Sequence, residues 1–415
     1  MNAKPDWNLI FLSCLISFCI FLNYFFWSVS FSQIIKSINF FTILFFLFYF
    51  FIGKEFKNYN YLRLFIISLV VLSLGSVTVD WDARSTWAFH AKRIFLDDNL
   101  YASFDKYAPI MRTAVFPLLP ASLSATLAQI IGHWNEIYPK STNTLVLLPA
   151  LFVQCSFLKN NKSILLWLMF ILLFTGRALV SGLMDGLVAM YFVTNCLIIY
   201  NLFFEENSIY GRNLQEINKN KNILFFLGIF CGIILTLLKN EGLVIVMLLL
   251  LSAFLFKIYL KKKIRKKEII FGILIFIPVF IWKFLATYNG IYAEYLGTGI
   301  VEPVIDLNSF DRIILRLSEI NTHKLLFKHL LLNEKFIIAL LIFLFSIYKS
   351  FEKNKLIYSF VITNALIYYI VLYIVYLSTP HDFYWHVTGS STRVMPSIVM
   401  ILIFFSVSTF MKKKE

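Results

Sequence analysis

The chain has 415 residues, of which 59% are hydrophobic and 18% aromatic, while only 15% are charged. Soluble domains carry about 25% charged residues, so this composition excludes an ordinary soluble protein and indicates an all-α, polytopic transmembrane bundle. The net charge of +15 sits in clusters between apolar runs, including Lys261-Lys262-Lys263-Ile264-Arg265-Lys266-Lys267 and Lys412-Lys413-Lys414. That is the pattern of a positive cytoplasmic face meeting membrane lipids, and no nucleic-acid partner is expected from it.

In chain order, the runs Leu9 to Trp27, Asn39 to Ile52, Leu62 to Val79, Leu183 to Phe204, Leu243 to Leu260 and Leu356 to Leu377 stand out. They approach or reach the ~17–25 residues of a membrane-crossing helix, and with the shorter runs they suggest about 12–13 spans. The first run follows Lys4 and lacks a small-residue cleavage site, so it is predicted to be a retained helix. Cys14, Cys19, Cys155, Cys196 and Cys231 lie inside apolar runs without metal-ligand spacing and read as buried small hydrophobes.

Placing the basic loops in the cytoplasm puts both termini inside, and a third span then delivers Asp80 to the outer face. By the same parity Arg177 to Asp185, Leu238 to Gly242, Ala286 to Lys335 and Ser378 to Arg393 lie outside as well. One segment breaks the count. Ala114 to Gly132 starts at Pro117 and Pro120 and carries Ser122, Ser124, Thr126 and Gln129, so it is predicted to be juxtamembrane or re-entrant and packed against protein. No internal repeat or separate soluble domain is visible, and residues 1–415 read as one unit. Outer loops 80–113, 177–185, 286–335 and 378–393 are expected to form its site.

The densest polar stretch is Asp80-Trp81-Asp82-Ala83-Arg84-Ser85-Thr86-Trp87-Ala88-Phe89-His90-Ala91-Lys92-Arg93. In an extended turn the two aspartates point to opposite sides, whereas a tighter turn would converge them on one cation or one acceptor hydroxyl. Equally, Asp82 or Ser85 suits the N-cap of a helix from Thr86 to Phe95. Trp81, Trp87 and Phe89 are interface anchors or sugar-stacking surfaces. His90, Lys92 and Arg93 could bind a phosphate at headgroup level, or snorkel there. Three further polar islands share the outer face. Asp185 at a span entrance is an N-cap or a site ligand. Lys239-Asn240-Glu241-Gly242 turns between two spans with almost no loop. His381-Asp382-Phe383-Tyr384-Trp385-His386 precedes Arg393, and its two histidines, five apart, do not form a helical metal pair. No phosphate-cradling glycine loop and no nucleophile elbow is present, so no nucleotide cofactor and no serine hydrolase is indicated. The long runs carry almost no charges, unlike an ion-coupled transporter.

As an ordered set, these motifs resemble the membrane glycosyltransferases of the GT-C type, the superfamily of protein mannosyltransferases, aminoarabinose transferases and oligosaccharyltransferases. Asp80-Trp81-Asp82-Ala83-Arg84 is similar to their acidic first-loop motif. Phe116-Pro117-Leu118-Leu119-Pro120 and then Gly132-His133-Trp134-Asn135-Glu136 are similar to the Pro-bearing run that follows it. Gly182-Leu183-Met184-Asp185, Lys239-Asn240-Glu241-Gly242 and Trp385-His386 with Arg393 look like later signatures. The resemblance implies a GT-C-like bundle with periplasmic juxtamembrane helices in a bacterial inner membrane. It implies transfer of a sugar from a polyprenyl-phosphate donor to a lipid or glycan acceptor, with the site on the periplasmic side. Asp80 or Asp82 would activate the acceptor hydroxyl or hold a divalent cation, Mg or Mn. Lys92, Arg112, Lys239 or Arg393 would meet the donor phosphate, and Arg84, His90, Asp185, Glu241 and His386 complete the expected substrate-binding set. Arg112-Thr113-Ala114-Val115-Phe116 stands where the aminoarabinose transferases carry an acid and a lysine, so Asp185 or Glu136 is the expected second carboxylate. The alternatives are a flippase or transporter of lipid-linked glycans, which needs a polar path through the bilayer, and a glycan polymerase or ligase, which relies on loop arginines.

Overall fold

The computed structural model describes residues 5–78, 80–102, 104, 116–158, 160–205, 214–291 and 309–410. Every regular element among them is helical. Among the described residues ten helices are long and apolar enough to cross a membrane, eleven if the bent pair Ile320–Leu331 and Glu334–Glu352 counts as one crossing. This is below the expected 12–13, because two further apolar elements, α5 and α6 below, are too short to qualify.

The first helices are α1 (Trp7–Ser28), α2 (Gln33–Ile52) and α3 (Asn60–Gly75). Asp6 caps α1 by accepting from the Asn8 and Leu9 amides, at 3.0 and 3.4 Å, and its other oxygen accepts from the Tyr59 hydroxyl at 2.8 Å. That ties the start of α1 to the start of α3. After Asp80 come α4 (Phe89–Asp97) and α5 (Leu119–Ile131).

With 13 residues, α5 rises only about 20 Å and does not reach across a bilayer. It lies against the later half of α1 and the start of α2 through a ladder of polar contacts. Asn23 Nδ2 donates to Ser122 Oγ at 3.3 Å, Trp27 Nε1 to Thr126 Oγ1 at 2.8 Å, and Gln33 Nε2 to the Gln129 carbonyl at 3.1 Å. At its end Lys36, buried under the Trp27 ring, and Gln129 share Asp98 Oδ1 at 3.0 and 2.7 Å. The serines, threonine and glutamine that dilute this run are therefore its docking surface on the rest of the protein.

Helix α6 (Thr142–Ser156) has 15 residues and is buried along its whole length. It runs antiparallel to α1, since Ser13 Oγ donates to the Pro149 carbonyl at 2.8 Å and the Asp6 amide to the Ser156 carbonyl at 3.0 Å. Next come α7 (Asn161–Val180), α8 (Asp185–Phe204), α9 (Leu214–Leu238) and α10 (Asn240–Tyr259). α8 is the central post, buried almost from end to end against α6, α9, α10 and the helix Pro396–Phe410. α11 (Lys266–Tyr288) packs on α9 and exposes Phe280, Ile281 and Phe284. The segment 286–335, read as large enough for small helices, holds α12 (Ser309–Ser318) and α13 (Ile320–Leu326). α14 (Glu334–Ser378) is broken at Ser350 and Asn354, and α15 (Phe383–Val394) leads into α16 (Pro396–Phe410). Cys19, Cys155, Cys196 and Cys231 are buried and Cys14 half-buried, all without disulfides, as the sequence suggested.

Candidate functional site

Consecutive antiparallel helices bring the end of α3, the starts of α8, α10 and α15, and the last turn of α15 to one end of the bundle. The backbone from Trp81 onward is helical, passing through a π-helical turn at Ala83–Ala88 into α4. Asp82 has helical φ/ψ of −59° and −37°. In a helix two residues are about 200° apart around the axis, so the aspartates diverge instead of meeting. Asp80 Oδ1 accepts from Arg177 Nη2 at 3.0 Å, and Asp82 Oδ2 accepts from Arg393 Nη1. The expected N-cap is absent. Neither the π-turn nor α4 has a side-chain cap, and Ser85 Oγ donates to the Trp81 carbonyl at 2.6 Å.

The first residue of α8, Asp185, meets the link between α9 and α10. Lys239 Nζ lies 2.9 Å from Asp185 Oδ1 and 2.9 Å from Glu241 Oε1. The Lys239 and Asp185 side chains are only 12% and 7% exposed, so this is a desolvated pair. Burial alone would lower the Lys239 ammonium, but Asp185 and Glu241 outweigh it and hold the group above the ordinary lysine value. The link is tight because of Gly242, where a Cβ would stand 1.9 Å from the Leu235 carbonyl oxygen. Gly182, with φ +90°, makes the other sharp turn, between α7 and α8.

Arg393 joins the two groups. It bonds Asp82 and also interacts electrostatically with Asp185 and Glu241. Arg393 Nε and Glu241 Oε2 are buried without a hydrogen-bond partner among the described residues, as are Asp80 Oδ2 and Ser391 Oγ at this end of the chain's helices. Lys283 of α11 donates to Asn240 Oδ1 and feels Glu241, adding a cation on the α11 side.

Of the site residues expected from sequence, Asp82, Asp185, Lys239, Glu241 and Arg393 come together, while Asp80 pairs separately with Arg177. His386 stands near, its ring 5.2 Å from that of Tyr376 and 5.4 Å from that of His381. Three others do not join. The Arg84 side chain is exposed with no ion pair or hydrogen bond among the described residues, and Lys92 turns to Glu136 at 3.4 Å. His90 is fully buried on the face of α4 that packs inward, so it does not share a headgroup-level surface with Lys92. Arg112 lies outside the described residues.

Sequence reasoning did not assign Lys283, Tyr368 or Tyr376. Both tyrosines interact electrostatically with Lys239 and Glu241, and Tyr376 shares a 2.9 Å hydrogen bond with Ser390 Oγ. Their signal was available. They are eight residues apart, on one helical face of an apolar run, where a hydroxyl needs a partner.

Asp80 and Asp82, the expected cation ligands, are each taken up by a different arginine. Among the described residues no three His, Cys, Asp or Glu side chains group as a metal seat. Each carboxylate therefore meets a guanidinium of its own in this structure.

Together these features define a multi-pass helical membrane protein with a charged, partly buried cluster at one end of its bundle. Comparisons with family models, curated proteins and solved structures find no match.

Proposed function

We propose that this protein is a GT-C-like membrane glycosyltransferase, moving a sugar from a polyprenyl-phosphate donor to a lipid or glycan acceptor. The cluster then lies at the periplasmic face of a bacterial inner membrane, with both termini cytoplasmic. One observation carries the reading: the Asp82–Arg393 pair and the Asp185–Lys239–Glu241 triad interlock through Arg393, leaving buried donor and acceptor atoms without protein partners. Such atoms are costly in a folded protein unless a polar ligand or water satisfies them.

In this reading the acceptor hydroxyl donates its proton to Asp82 as its oxygen bonds to the anomeric carbon. The bond from that carbon to the donor phosphate oxygen breaks, and the electron pair leaves with the polyprenyl phosphate. Arg393 keeps several donor N–H groups beyond the one given to Asp82, and Lys239 keeps a third proton beyond its two carboxylates, so both meet the charge growing on phosphate. Asp185 and Glu241 hold Lys239 in place and charged. The polyprenyl chain follows the exposed apolar faces of α10 and α11, where Met247, Leu251, Phe280 and Phe284 face outward. The phosphate–sugar bond supplies the energy.

The test is label transfer from a panel of polyprenyl-phosphate sugars in membranes containing wild type, Asp80→Asn, Asp82→Asn or Arg393→Met. Transfer lost in Asp82→Asn and Arg393→Met, with normal protein levels, supports the reading. Transfer unchanged in all three variants overturns it.

A further inference from the structure

Against the π-helical turn and the start of α4 lies a half-open cleft, lined on that side by Ala83, Trp87, Ala88 and Ala91. It shares walls with both acidic segments: Ala83 and Ala88 follow Asp82, and Gly182 and Met184 precede Asp185. Small residues make its floor. At Gly182 an added Cβ would stand 3.4 Å from Ala83 Cβ and 3.9 Å from Lys140 Cβ, so the space persists because no side chain fills it. Trp134, partly exposed, supplies aromatic surface, and Trp87 lines the wall, buried and stacked on Phe116 at 5.7 Å.

The polar groups are mixed. Asn143, only 4% exposed, lines the cavity, and its amide has no hydrogen-bond partner among the described residues. Such an amide offers two donors and an acceptor. Glu136 takes Trp134 Nε1 at 2.9 Å and Lys92 at 3.4 Å on Oε1, leaving Oε2 as an acceptor at the rim. Lys140 donates one proton to the Ser76 carbonyl and has two more, and burial lowers its pKa from the ordinary lysine value. Aromatic faces beside a buried amide, a carboxylate and an amine suit a ring that carries hydroxyls on its edge and C–H groups on its face. A purely apolar guest would leave Asn143 unsatisfied.

We infer that this cavity binds a neutral sugar ring and, resting on the transferase reading above, that the ring is the acceptor's, presented to Asp82 across the turn. The test uses purified full-length protein in a detergent without a sugar headgroup. Binding of methyl glycosides of glucose, galactose and mannose, and of N-acetylglucosamine, is measured by saturation-transfer NMR and titration. At least one sugar is expected to bind, and Asn143→Ala and Glu136→Gln each weaken it by about tenfold or more, as loss of a charged or buried hydrogen bond implies. Thermal unfolding checks the variants. Glu136 is a half-exposed rim residue, so if Asn143→Ala unfolds, Glu136→Gln decides. No binding of any panel sugar, or binding unchanged in the folded variants, overturns the inference. Sugar binding weakened by the variants, without transfer from any donor, supports the cavity's role and removes only the transferase reading.

Discussion

Replacing Lys239 by methionine removes the one cation between Asp185 and Glu241 while keeping an unbranched chain of similar length. Asp185 is the group that suffers. Its side chain is 7% exposed, and its remaining cationic neighbour is Arg393, which already bonds Asp82. Breaking a buried ion pair from one side costs about 3–5 kcal/mol, because a desolvated charge is left behind. Glu241 loses less, since a third of its side chain meets solvent. Lys239→Met should therefore lower the unfolding free energy by about 3–5 kcal/mol, measured by denaturant unfolding in detergent micelles. Asp185→Asn added to it should recover a large part of that loss, because the uncompensated charge is gone. The sign in pH follows from the raised Lys239 pKa. The stabilisation is fully present below the unfolded lysine value of about 10.4 and is lost only as pH rises through the folded value. Between neutrality and pH ~10 the difference between wild type and Lys239→Met should stay flat. Strictly additive single-site effects, or a difference that fades between neutrality and pH ~10, would refute the coupling.

Other sites give independent checks. Asp82→Asn should lower transfer by about 10²–10⁴-fold, the range for loss of a general base, with the melting temperature little changed because Asp82 is a third exposed. Thr126→Val keeps shape but strips the hydroxyl between Trp27 Nε1 and Asn23 Oδ1, so it should destabilise by about 1–3 kcal/mol and loosen α5, read by protease cleavage in 132–141. Gly182→Ala, at φ +90°, should cost about 1–2 kcal/mol in thermal unfolding. Gly242→Ala, whose Cβ would meet the Leu235 carbonyl, should cost about 1–3 kcal/mol and also reduce transfer by shifting Lys239.

Much of this arrangement was legible beforehand because bilayer-length apolar runs and basic loops obey strong, local rules. Parity alone gathered Asp80, Asp185, Lys239 and Arg393 at one end, and these ends do meet. The dilution of 114–132 by serine and threonine pointed to a segment docked on protein, and α5 docks through those side chains. What sequence could not supply was the backbone between Asp80 and Asp82. An i, i+2 pair converges or diverges according to φ/ψ, and the chain enters helix at Trp81 without the cap that Asp82 seemed to offer. Nor could it choose partners. Asp80 goes to Arg177 and Asp82 to Arg393, 97 and 311 residues away, by packing alone. Lys283 and Tyr376 were hidden for another reason. A single polar group in an apolar helix shows its meaning only when the neighbouring helix is in place.

The proposal that Asp82 and Arg393 act on a sugar leaving a lipid phosphate is checked by following donor and acceptor together in membranes by mass spectrometry, wild type beside Asp82→Asn. The expected result is release of polyprenyl phosphate matched mole for mole by sugar gained on the acceptor, in wild type only. Sugar transfer at the wild-type rate in Asp82→Asn would contradict it.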